Sequence, residues 1–87
     1  MKNPPKLLDP VALLSDVPVN RLTLLEPDYD NIKQLPSGLT GAIVEVYELD
    51  GGVFYRVEFS DSQGCEYAMA VLRAEEFLVL QSELAVL

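Results

Sequence analysis

Thr40-Gly41-Ala42-Ile43-Val44-Glu45-Val46-Tyr47-Glu48-Leu49-Asp50-Gly51-Gly52-Val53-Phe54-Tyr55-Arg56-Val57-Glu58-Phe59-Ser60 is the stretch that decides the fold. Residues 42–48 and 53–59 are rich in β-branched and aromatic side chains and flank Asp50-Gly51-Gly52. Asp-Gly and Gly-Gly accept positive φ, the condition for a tight hairpin turn, so the stretch predicts two antiparallel strands. The register follows from charge. A two-residue turn at Asp50-Gly51 sets Glu45 against Arg56 and Tyr47 against Phe54 on one face. On the other face it sets Ala42 against Phe59, Val44 against Val57 and Val46 against Tyr55. A turn at Gly51-Gly52 would oppose Glu45 with Glu58, and like charges directly opposite are unfavourable. The first register is therefore expected, with Val44, Val46, Val53, Tyr55, Val57 and Phe59 pointing inward.

Outward from the hairpin, Asp61 and Gly64 mark a second turn, and residues 66–72 read as the next strand. Its inward face is either Tyr67, Met69 and Val71 or Ala68, Ala70 and Leu72, since a one-residue slip exchanges them. Arg73-Ala74-Glu75-Glu76 suits a single helical turn before a short last strand at 77–80. Upstream, Pro10 lacks a ladder donor, so a first strand is expected at 11–14. Residues 15–39, with Pro18, Pro27, Pro36 and Gly38, read as a long loop. Within it, 28–35 suits one or two helical turns, and 22–25 either packs on the core or adds a short strand. The sum is a mainly β, single-domain chain. It reads as a small SH3-like half-open barrel of about five strands, with a core at about 7–80 and an apolar C-terminal tail at 81–87. A compact α+β sheet using 28–35 is the alternative.

The chain has 87 residues, 14 acidic and 6 basic, giving a formal charge of −8. One domain of this size has a thin stability margin, about 5 kcal/mol. It has no His and one Cys, which removes the usual proton shuttle, an internal disulfide and a structural zinc site. Scattered Lys and Arg argue against nucleic acid and anionic membrane surfaces as partners. No apolar run approaches the ~20 residues of a membrane span. The N-terminal apolar stretch is broken by Asp9 and Pro10 and lacks a small-x-small cleavage site, so the expected location is cytoplasmic.

Three stretches together resemble a known family. They are Leu7-Leu8-Asp9-Pro10-Val11-Ala12-Leu13-Leu14-Ser15-Asp16-Val17-Pro18, then Gly38-Leu39-Thr40-Gly41-Ala42-Ile43-Val44-Glu45-Val46-Tyr47, then Tyr55-Arg56-Val57-Glu58-Phe59-Ser60-Asp61 with Gly64, Tyr67-Ala68 and Leu72-Arg73-Ala74-Glu75. In this order they resemble the bacterial family called domain of unknown function 4926, whose members are small and acidic and look like SH3-type barrels. The resemblance implies no catalytic residues. It implies a small partner in a two-gene cassette, sometimes beside a presumed toxin. The chain departs from the family pattern at 20–36, which reads as an insertion of roughly ten residues.

Candidate chemistry is thin. The carboxylates could supply an acid–base pair or a hard-cation site, but charged residues normally occupy the solvated face. Asp28-Tyr29-Asp30-Asn31 lacks the glycine and glutamate of a calcium loop. Cys65 has no activating base and adjoins Glu66. No metal, cofactor or catalytic residue is expected. What remains is a contact patch: Tyr47 and Phe54 paired on the outer face, with Glu45, Glu48 and Glu58 around them. The expected function is a non-enzymatic interaction module, in its sharper form an acidic antitoxin or immunity-type inhibitor of a basic protein. The alternative is an accessory subunit or homodimer that self-associates through Leu84-Ala85-Val86-Leu87.

Overall fold

The computed structural model describes residues 4–29 and 31–80. It is mainly β. The strands are β1 (Pro10–Leu13), β2 (Val17–Pro18), β3 (Leu22–Leu24), β4 (Gln34–Leu35), β5 (Thr40–Leu49), β6 (Gly52–Ser60), β7 (Glu66–Leu72) and β8 (Phe77–Val79). The helical elements among the described residues are three-residue 3₁₀ turns at Val19–Arg21, Pro27–Tyr29 and Ala74–Glu76. Six strands form one antiparallel sheet in the order β3-β7-β6-β5-β1-β8, and β2 pairs with β4 in a separate ribbon.

The hairpin turns where the charge pairing predicts. Asp50 (φ 51°) and Gly51 (φ 79°) both take positive φ, the mark of a type I′ turn. Glu45 lies opposite Arg56, Val46 opposite Tyr55 and Tyr47 opposite Phe54. Beyond Glu45 the register slips at a bulge, so Ile43 faces Val57 and Ala42 faces Glu58. The extra residue is Val44. This corrects three of the expected inward positions. The bulge puts Ile43 into the core in place of Val44. Val46 and Val53 share a face with Tyr55, but they lie on the part of the hairpin that projects past its neighbours. They remain 38% and 40% exposed.

A second bulge, near Phe59 and Ser60, resolves the β7 alternative. Ala68, Ala70 and Leu72 point inward, and the irregularity buries Tyr67 as well. The core is closed by Val11, Leu13, Ile43, Tyr55, Val57, Phe59 and Phe77. The Tyr55 and Phe77 rings meet edge to face at 5.4 Å.

The stretch 15–39 is more structured than a long loop. It supplies β2, β3 and β4, and it places Val17 and Leu35 in the core. Leu22 and Leu24 pack against that core while β3 extends the sheet beside β7. Helix at 28–35 is limited to the single turn Pro27–Tyr29. β3 and β8 lie at opposite ends of the strand order, yet Arg21, just before β3, reaches Glu76, just before β8. Arg21 Nη1 donates to Glu76 Oε1 at 2.6 Å and Nη2 to Oε2 at 3.1 Å. The sheet is therefore curled on itself into a small barrel-like form with its two edges clasped at one end. No helix among the described residues is long and apolar enough to cross a membrane.

Candidate functional site

Alternation along β5, β6 and β7 sorts the side chains into a core face and an outer face. On the outer face Tyr47 stacks on Phe54, with ring centroids 6.5 Å apart and planes 26° from parallel. The Arg73 guanidinium lies over the Phe54 ring, 5.3 Å from its centroid. Glu45 pairs with Arg56 at 3.1 Å. Glu58 sits on the same face, half-buried, opposite Ala42 on β5 and Met69 on β7. Glu45, Tyr47, Phe54 and Glu58 therefore share one surface.

Glu48 does not join them. It lies opposite Val53, one residue out of phase with Tyr47, and so projects from the other side of the hairpin. Nor is the face purely acidic. Arg56 and Arg73 lie on it, and Arg21 and Arg56 line a shallow hollow of about 150 Å³ with Thr23, Met69 and Val71. Arg56 was legible as the cross-strand partner of Glu45. Arg73 and Arg21 were not, because only the meeting of β7 and the 3₁₀ turn Val19–Arg21 with β6 brings them in.

Each of these cations is engaged. Arg21 holds Glu76 and also donates to the Val71 carbonyl at 3.2 Å; Arg73 Nε lies 3.7 Å from Glu75. The hydrogen bond from Arg21 holds the Glu76 carboxyl below the usual glutamate range and raises the guanidinium in turn.

A second polar cluster anchors the middle of the chain. Tyr29 stacks on Tyr67 at 4.4 Å and donates to Asp61 Oδ2 at 3.2 Å. Asp61 Oδ1 accepts from the backbone N–H groups of Gln63 and Cys65, at 2.9 and 3.0 Å. Those backbone donors hold the Asp61 carboxyl below its ordinary range. Desolvation, then the bond to Asp61, raises the Tyr29 phenol; desolvation also raises that of Tyr67. This is packing chemistry: it pins the 3₁₀ turn Pro27–Tyr29 to the turn between β6 and β7. Cys65 is exposed and unpaired. Among the described residues no group of three or more His, Cys, Asp or Glu side chains is close enough to hold a metal ion. Asp30 and the apolar tail at 84–87 lie outside the described residues.

The sequence pattern of the family described as "Domain of unknown function (DUF4926)" matches residues 7–79. The chain belongs to the DUF4926 family. The match runs from just before β1 to the end of β8, so its span encloses all the described strands of this DUF4926 domain. No curated protein and no solved structure matches the chain.

Proposed function

We propose that this DUF4926 chain is a non-enzymatic protein-interaction module that binds a basic protein partner, in the manner of an antitoxin or immunity-type inhibitor. The observation that carries this is the outer face of the projecting hairpin. There the Tyr47–Phe54 pair offers an apolar centre, capped by Arg73 and bordered by Glu45 and Glu58. An aromatic centre with a charged border suits protein recognition. The chain's excess of eight negative charges steers a basic partner toward it. Nucleic acid is a poor fit, because Arg21, Arg56 and Arg73 already face Glu76, Glu45 and Glu75. We place the protein in the cytoplasm, where the exposed thiol of Cys65 stays reduced.

A tagged pull-down from native lysate at low and moderate salt, followed by association kinetics on the captured protein, tests the proposal. The expected result is one stoichiometric basic protein whose on-rate falls about tenfold when Glu45 and Glu58 are both changed to Lys. An on-rate indifferent to salt and to both substitutions would sink it.

A further inference from the structure

The hairpin of β5 and β6 also carries an open backbone edge. The type I′ turn makes Leu49 and Gly52 its closing hydrogen-bonded pair. Hydrogen-bonded and non-hydrogen-bonded pairs alternate in an antiparallel ladder. Tyr47 and Glu45 therefore bond to β6, and Val46 and Glu48 turn their N–H and C=O groups away from it. On that side the described residues cover β5 only as far as Ile43. There Leu8 N–H donates to the Ile43 carbonyl at 2.7 Å and Ile43 N–H to the Asp9 carbonyl at 3.1 Å. From 44 to 49 no described residue supplies a backbone partner to this edge. Exposed apolar side chains accompany it, with Leu49 55% exposed.

We infer that residues 44–49 of β5 form a strand-addition site for an extended basic segment of a partner protein. The segment adds one strand to the hairpin, hydrogen-bonded to Val46 and Glu48. It carries Lys or Arg opposite Glu48 and an apolar residue opposite Val46. Charge selects this occupant. Glu48 is exposed and has no basic partner among the described residues, and Asp50 follows two positions on. A second copy is a poor occupant. The antiparallel register that uses all the outward groups sets Val46 opposite Glu48 on both copies. The two Glu48 carboxylates then become diagonal neighbours, roughly 7–8 Å apart. Two chains of charge −8 would be meeting along that seam. A basic strand removes both repulsions, and backbone pairing supplies affinity while alternate side chains supply specificity. The inference rests on the interaction-module reading and adds the mode of binding.

The test is an amide NMR titration of the full chain with the capped hexapeptide TKYVKT, with TEYVET as control. Addition of the lysine peptide should move the resonances of residues 44–49 and slow amide exchange at Val46 and Glu48 at least about tenfold. Glu48→Lys should weaken binding about tenfold. Val46→Pro removes an N–H that β6 does not use, and it should abolish binding while leaving the spectrum folded. The wild-type perturbation map stands even if that variant fails to fold. Four outcomes with the purified protein overturn the inference. One is no binding at millimolar peptide. A second is a perturbation centred on Phe54 and Met69. A third is slow exchange of Val46 and Glu48 in the free protein, meaning that the edge is already occupied. The last is a self-dimer that Val46→Pro dissolves. Capture of a salt-sensitive basic protein by Val46→Pro as efficiently as by wild type would remove the edge and leave the interaction module standing. Loss of capture by wild type itself would remove both.

Discussion

At the scale of single residues, Gly41 shows how closely the strands approach. It faces Val11 on β1, and a Cβ built there would lie 2.6 Å from the Glu58 carbonyl oxygen and 2.9 Å from side-chain atoms of Val57 and Phe59. The nearest of these atoms belongs to the backbone of a central strand, so it cannot swing aside. Gly41→Ala should destabilise the protein by about 2–3 kcal/mol, read as a lower urea midpoint at unchanged slope. Against a total near 5 kcal/mol for a domain of this size, that is a large fraction. Gly38, whose φ is +89° with open space around it, makes a useful contrast. Its requirement is conformational and not steric.

At the scale of elements, the clasp between the turn before β3 and the turn before β8 depends on Glu76. That carboxylate accepts two bonds from Arg21 and one from the Arg73 backbone N–H at 2.8 Å. Its pKa is held below the unfolded value, first by the bond from Arg21. The clasp therefore contributes stability that is fully present above the unfolded glutamate pKa, roughly 4.3, and is lost as pH falls through the lower folded value. Arg21 is substantially exposed, so the pair is worth little more than a surface bridge. Glu76→Gln should cost about 1 kcal/mol at neutral pH, and the difference from wild type should shrink toward zero below the folded pKa. Urea melts at pH 7 and pH 3 measure both. A cost that persists undiminished at pH 3 would mean that the glutamine disturbs packing and that charge is not what matters. The bulge at Val44 belongs to this scale as well. Charge pairing near the turn was legible as far as Glu45 against Arg56. The slip beyond it was not, because β5 must there satisfy β1 and β6 together, and β1 lies 30 residues away in the chain.

At the scale of the whole molecule, the excess of eight negative charges acts on stability as well as on partner choice. Repulsion among acids outweighs the few ion pairs, so screening should stabilise the fold. Raising sodium chloride from 20 mM to 500 mM should increase unfolding free energy by on the order of 1 kcal/mol. A decrease over that range would mean that the clasp and the Glu45–Arg56 pair dominate the electrostatics. The mainly β class, the Asp50-Gly51 turn, the two turns flanking β7 and the outward pairing of Tyr47 with Phe54 were all determined by sequence, because each depends on neighbours in the chain or directly across one hairpin. Tertiary structure alone decided the rest. It added β2 and β4 to the 15–39 stretch and took the strand alternative for 22–25 as β3, since those short strands exist only against β7, the core and each other. It brought Arg73 onto Phe54, whereas the place of Glu48 behind the hairpin follows from alternation along β5 alone. Tertiary structure also left the edge of 44–49 that faces away from β6 without a partner among the described residues, because β1 pairs with only the first part of a longer strand. Which backbone groups go unpaired depends on where every other strand ends, and no local pattern carries that information.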